Sequence, residues 1–382
     1  MDPNAAENSA AEERRERSQR PSISHVGRAA RVRPANRFER VHVEDDFADL
    51  DGSDELADVA GDRPDKLATE YIADRSQTII AENHSPDVPF RFSINPYRGC
   101  EHGCAYCYAR PGHEYLGYDG GLDFETKIVV KHQAAELLRR ALARRSWQPE
   151  PIALSGVTDC YQPAERRFRV TRGCLEVMLD ARQPATIITK NALVLRDLDV
   201  LGPMASHGLV HVFVSITTLD AELARRLEPR TATPQARLRT VRALADAHVP
   251  VGVMVAPIIP GLTDTEVPAI LKRAAAAGAE RANFTIVRLP LAVEPVFCDW
   301  LRRVVPDRAD RVLAAVRRMR DGRLNTSEFG QRMRGKGNVA HQITQMFQVF
   351  ATRYGLDRPM PPLDTSQFRR PAGDPRQRRL FD

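Results

Sequence analysis

From residue 88 the chain repeats one unit, a short apolar run followed by a helix-like stretch. The apolar runs are "FRFSIN", "PIALSGV", "ATIITK", "LVHVFVSIT", "PVGVMVAPII" and "RANFTIVRL". Between them lie "VVKHQAAELLRRALARR", "RVTRGCLEVMLDAR", "LVLRDLDVLGPMASH", "PQARLRTVRALADAH" and "EVPAILKRAAAAG", all with helical spacing of apolar residues. The runs are continuous rather than alternating, as in a parallel sheet covered on both faces. Six such units predict an α/β fold, either a wound sheet or a partial barrel of the (β/α)6 type. In both, the functional loops lie at the C-terminal ends of the strands.

The flanks read differently. Residues 1–85 are rich in Ala, Asp, Glu, Arg and Ser and poor in aromatics, which predicts a disordered N-terminal region. Its basic arm, "RRERSQRPSISHVGRAARVRPANR", and the acidic block that follows are expected to pair loosely with each other, or the acidic block with the basic C-terminus. Residues 86–305 form the expected core, and residues 306–382 a basic C-terminal extension with helical and extended parts. Residues 301–382 hold 18 bases against 8 acids, whereas residues 41–80 hold 12 acids against 3 bases. Such a basic region suits phosphates and hence nucleic acid; a solvated arginine-rich surface is the alternative. The stretch "SEFGQRMRGKGNVA" reads as a cap on the open side of an incomplete barrel that also contacts substrate, or as a phosphate cradle. No run of 18 apolar residues and no signal-like start is present, so a cytoplasmic protein without membrane segments is expected.

In a reducing compartment clustered cysteines point to a metal or to catalysis rather than to disulfides. "NPYRGCEHGCAYCYAR" follows the first strand and carries Cys100, Cys104 and Cys107 in C-x3-C-x2-C spacing. Structural zinc sites usually take four ligands, and Cys160, Cys174 and Cys298 are isolated. Three ligands suit a [4Fe-4S] cluster whose fourth iron stays open for another ligand. A structural zinc or a redox-inert cluster is the alternative. His102 and His113 read as surface loop residues, and Tyr97, Tyr108, Tyr115 and Tyr118 as a screen between the loop and solvent.

With its aromatic Tyr106 before the third cysteine, this loop at the head of a six-fold β/α chain resembles the radical S-adenosylmethionine (radical SAM) superfamily. The likeness covers roughly residues 88–305. "TDCYQPAE", "ITKN", "EPR" and "PIIPGLTD" make it similar to the spore photoproduct lyase-like branch, the DNA-repair photolyase relatives. The resemblance implies a [4Fe-4S] cluster on Cys100, Cys104 and Cys107. It also implies S-adenosylmethionine as cofactor, cleaved reductively to a 5′-deoxyadenosyl radical that abstracts hydrogen from substrate. An external electron donor of flavodoxin or ferredoxin type follows from that chemistry.

By the same resemblance Tyr106, Thr158, Asp159, Lys190, Ser215 and Arg230 are cofactor-site candidates. Asp159 would accept from the methionine ammonium, or cap the next helix. Lys190 would reach the carboxylate. Arg230 would meet the carboxylate or a substrate phosphate, or pair with Glu228. Cys160 stands where the branch has proline; it is a candidate hydrogen donor to the product radical or an incidental substitution. The implied function is a lyase-like repair or modification of nucleic acid. The alternatives are a small-molecule, protein or RNA substrate, or a non-catalytic iron–sulfur adaptor. Finally, Gln377, Leu380 and Phe381 in "QRRLFD" match the short pattern of peptides that dock on the replication sliding clamp.

Overall fold

The computed structural model describes residues 27–38 and 68–372. Gln377, Leu380 and Phe381 lie outside the described residues. In chain order the strands are β1 (Glu70–Ala73), β2 (Ile80–Glu82), β3 (Phe92–Ile94), β4 (Tyr97–Arg98), β5 (Lys127–Val130), β6 (Ile152–Leu154), β7 (Ala185–Thr189), β8 (Val210–Ser215), β9 (Val251–Ile258) and β10 (Arg281–Ile286).

Seven of them form one sheet in the order β10-β9-β8-β7-β6-β3-β2. The six expected strands pair in parallel and each lies beside its predecessor in sequence. A doubly wound sheet reverses its order at a switch point; this one does not. With every crossover in the right-handed sense, all helices fall on one face and the sheet curls into a partial barrel. β2 adds an antiparallel edge.

The helix-facing residues Ile187, Val212, Val214, Val251, Val253 and Val255 are buried in the main core. Burying each such side chain contributes roughly 1.5–3 kcal/mol. Alternate positions on the inner face, such as His211, Phe213, Met254, Asn283 and Thr285, stay partly exposed. Local signals set the helix starts: Thr233 accepts from Ala236 N with Pro234 in the first turn, and Asp220 accepts from the N–H groups of Glu222 and Leu223.

Three regions depart from the sequence reading. Residues 27–38 and 68–85 are ordered, although 1–85 was expected to be disordered. Ala29, Ala30, Val32 and Asn36 are buried, and β1 and β2 pair with later strands. Residues 27–38 of the arm dock beside the cysteine loop, on Glu125 and Glu114, and the acidic block lies outside the described residues. Next, the first part of "VVKHQAAELLRRALARR" is the end of β5, and the helix spans only Ala134–Ala143. The run Ile128–Val130 is β-branched and finds partners on both sides, β1 and β4, in a second three-stranded sheet.

The third region is the C-terminal extension, which is integral to the fold. Helix Gly337–Arg353 packs on the barrel, with the rings of Phe347 and Phe284 4.4 Å apart. The chain then crosses the barrel end opposite the functional loops. Leu356 O accepts from Ala282 N (2.8 Å), Asp364 N donates to Gly208 O (2.9 Å), and Arg369 N donates to Ala181 O (2.7 Å). "SEFGQRMRGKGNVA" does cap the open side. Met333 O accepts from Ile286 N at the end of β10, and Arg332 pairs with Asp87 of the β2–β3 turn at 2.6 Å. Among the described residues no helix is long and apolar enough to cross a membrane.

Candidate cluster and cofactor site

The cysteine loop starts directly after β4 and is held from several sides. Cys100 N donates to Phe124 O (2.9 Å), Ala105 N to Leu227 O (3.0 Å) and Cys107 N to Cys104 O (3.3 Å). Gly103 has a positive φ of 63°, and a Cβ there would sit 2.6 Å from that of Arg28. The central clamp is Arg110, which has no exposed surface. Its guanidinium donates to Cys104 O (2.8 Å), Gly120 O (3.0 Å), Gly121 O (2.9 Å) and the Glu125 carboxylate (2.6 Å). Glu125 also accepts the backbone N–H groups of Arg28, Ala29 and Ala30. The N-terminal segment is therefore part of the loop's support.

This loop fits a cubane cluster. Burial pushes all three thiols up, and the negative ends of Cys100, Cys104 and Cys107 lie within electrostatic reach of one another. A buried thiol trio of this kind becomes thiolate when iron supplies the positive charge. Among the described residues no three His, Cys, Asp or Glu side chains converge on a single-ion site. A cubane places each cysteine on its own iron, so it does not need such convergence. Cys107 is the least buried of the three, and the Arg110 guanidinium partly offsets the burial at its sulfur.

Beside the cysteines is a charged hub centred on Glu228, 1% exposed. The carboxylate accepts from the Tyr106 hydroxyl, the Arg237 guanidinium and Thr217 Oγ1, and Lys190 Nζ stands 3.7 Å away. Burial alone would raise its pKa; the Arg237 guanidinium and then the Lys190 ammonium outweigh burial and hold it at about 2. Glu228 thereby fixes the Tyr106 ring beside the cluster loop. Lys190 Nζ donates to Ala256 O (3.0 Å) and lies 5.8 Å from the centre of the Tyr106 ring. With three hydrogens, it keeps one for an incoming carboxylate.

The other expected cofactor residues separate into two groups. Ser215 sits buried at the end of β8, where its carbonyl accepts from Arg237 (3.0 Å), so it belongs with Tyr106 and Lys190 at the hub. Thr158 and Asp159 are occupied elsewhere. The Thr158 hydroxyl donates to Tyr97 O at 2.6 Å. Asp159 Oδ1 accepts from Tyr161 N and Thr189 Oγ1, both at 2.8 Å, and Oδ2 accepts from Lys190 N (2.7 Å) with His102 Nδ1 at 3.4 Å. Three hydrogen bonds thus tie Asp159 to its own turn and to the end of β7, as the cap alternative expects. Arg230 pairs with Glu101 (2.7 Å), not with Glu228, and its side chain remains 42% exposed.

Cys160 has the position of the incidental substitution rather than that of a donor. It has no exposed surface and lies in the main core, with its N–H donating to Ser155 Oγ and its carbonyl accepting from Thr171 Oγ1. A hydrogen donor must reach the substrate radical, and a sealed core thiol does not. His102 and His113 are buried rather than on the surface. His102 Nε2 lies 3.2 Å from Asn191 Nδ2, and burial lowers its pKa. Sequence reasoning overlooked Glu228, Arg237, Thr217 and Arg110. The "EPR" stretch was its only pointer to Glu228, and there the arginine drew the attention.

A family model of the radical SAM superfamily matches residues 94–274. An uncharacterized protein of Mycobacterium tuberculosis is 41% identical over 233 residues, covering 60% of this chain and 68% of that protein. An uncharacterized protein of Methanocaldococcus jannaschii is 30% identical over 176 residues, 46% of this chain and 63% of its own length. Among solved structures, a spore photoproduct lyase mutant with bound AdoMet and dinucleoside spore photoproduct shares the fold. Its TM-score is 0.55 at 16% identity, over 76% of this chain and 79% of that one. Residues 94–274 form a radical SAM domain, and the chain is an enzyme of that type, with the [4Fe-4S] cluster and S-adenosylmethionine that the superfamily uses as cofactors.

Proposed function

We propose that this enzyme acts on a nucleic-acid strand, in lyase-like repair or modification of a base. The observation that carries the reading is at the barrel mouth. Tyr108, next to the cluster cysteine Cys107, keeps 44% of its surface exposed, and the Arg288 guanidinium lies 4.9 Å from its ring centre. A cation and an exposed aromatic beside the radical source suit a base and its phosphate. The spore photoproduct lyase of the same fold holds a dinucleoside spore photoproduct, which supports the same substrate class. In this reading Cys100, Cys104 and Cys107 hold the cluster, Lys190 takes the cofactor carboxylate, and Glu228 keeps Tyr106 in place. The bound cofactors supply the hydrogen-abstracting radical, and an external flavodoxin or ferredoxin supplies the electron.

Fluorescence anisotropy of the reconstituted protein with labelled single-stranded DNA tests the reading. Affinity should fall steeply with salt, because phosphate contacts release counterions. Affinity absent at low salt, or independent of salt, would overturn it.

A further inference from the structure

Arg288 follows β10 at the functional rim, and Arg320 lies within its electrostatic reach. Arg320 is 2% exposed. Its guanidinium donates to Val287 O (2.7 Å) and Arg332 O (3.2 Å), while its buried Nε–H has no acceptor among the described residues. Arg288 itself makes no hydrogen bond or ion pair among the described residues; its contact is the face of Tyr108. The carboxylate near this group is Asp87, which already accepts from Arg332 Nε and Gly330 N, both at 2.6 Å. Arg288 and Arg332 thus share one carboxylate, and Arg320 stands behind Arg288 with none of its own.

Burial lowers the pKa of Arg288 and, with Arg288 adding to it, brings Arg320 down to about 10, so both stay cationic at neutral pH. Partly desolvated charges of one sign are costly unless an opposite charge arrives. On the outer side Phe329 is 60% exposed and carries the Arg332 guanidinium 4.8 Å from its ring centre. Tyr108 therefore offers an exposed aromatic face beside the uncompensated Arg288, and Phe329 a second one beside Arg332, whose charge Asp87 meets.

We propose that Arg288, with Arg320 as the charge behind it, is a phosphodiester subsite at the barrel mouth. It holds the strand beside the nucleoside presented to the cluster, with Tyr108 and Phe329 as stacking faces for the bases. This rests on the nucleic-acid reading above. The ligand chemistry is a phosphate oxyanion, and its source is the backbone of a strand rather than a free phosphate.

The test uses full-length reconstituted holoenzyme and a short single-stranded oligonucleotide in which one linkage at a time is a neutral methylphosphonate. With wild type, one linkage position should cost ~10-fold in affinity, the loss of a charge-assisted contact. In Arg288→Gln the phosphodiester strand should bind about as weakly, and the same neutral linkage should cost nothing further. The salt slope should fall by about 0.7 for the one phosphate contact removed. Arg288→Lys, which keeps the charge without the planar fork, should recover part of the loss. A positional penalty that persists unchanged in Arg288→Gln overturns the subsite, as does the absence of any sensitive position. Inorganic phosphate that competes as well as the strand would make this a free-phosphate site and also overturns it. No oligonucleotide binding by wild type would instead overturn the nucleic-acid reading itself.

Discussion

Replacing Glu228 by Gln removes the one negative charge of the buried hub while keeping its shape. Arg237, 1% exposed, and Lys190 would then face each other without a counter-charge. The carboxyl's drop from its ordinary 4.5 to about 2 corresponds to about 3 kcal/mol of stabilisation. That agrees with the ~3–5 kcal/mol typical of breaking a buried pair from one side. The variant should melt about 4 °C or more below wild type, compared anaerobically at one scan rate because unfolding with cluster loss is not reversible. The sign with pH follows from the depressed folded value. The stabilisation is complete above pH 4.5 and is lost as pH falls toward 2, so the gap between wild type and variant should shrink over that window. Removing Arg237 as well, in Glu228→Gln/Arg237→Met, should restore part of the stability. A Gln variant within about 1 kcal/mol of wild type at pH 7, or a gap that does not change with pH, would refute the reasoning.

His113 is buried with both ring nitrogens unpartnered among the described residues, and burial lowers its pKa from 6.5 to about 4. The unfolded chain takes up a proton below pH 6.5 that the folded one refuses, so wild type should lose about 2 kcal/mol from this group by pH 5. His113→Leu should lose that much less between pH 7 and 5 in urea titrations, and equal losses would show that the ring is not held neutral. Cys160→Ala should cost about 1 kcal/mol of stability, as an ordinary core substitution, and should leave the product ratio unchanged. An altered ratio, or a new pattern of solvent-deuterium incorporation, would return Cys160 to the role of hydrogen donor.

What the sequence disclosed followed from periodicity and spacing. Six apolar runs at regular distance indicated six parallel strands, and three cysteines in eight residues indicated the cluster loop. Neither signal reports which polar groups meet across the barrel. Asp159 in "LSGVTD" read as an ammonium acceptor or a helix cap, yet its partners come from its own turn, from the end of β7 and from the cysteine loop. His102 stands in a polar stretch, but helix-capping Asn191 and Asp159 close over it. Residues 27–38 have the composition of a free arm; they are ordered because their backbone N–H groups satisfy the buried Glu125, a contact between positions 95 to 97 residues apart. Strand and cluster signals are local, whereas charge compensation in a closed interior is settled by long-range contacts.

The most direct test of the central claim is anaerobic. The reconstituted protein is mixed with dithionite and S-adenosylmethionine, with and without UV-irradiated DNA, and 5′-deoxyadenosine and dinucleoside products are quantified. The account predicts 5′-deoxyadenosine from wild type, none from the Cys100→Ala/Cys104→Ala/Cys107→Ala variant, and more of it, with an altered dinucleoside, when DNA is present. An intact cluster that leaves S-adenosylmethionine uncleaved, or cleavage that no nucleic acid changes, would contradict it.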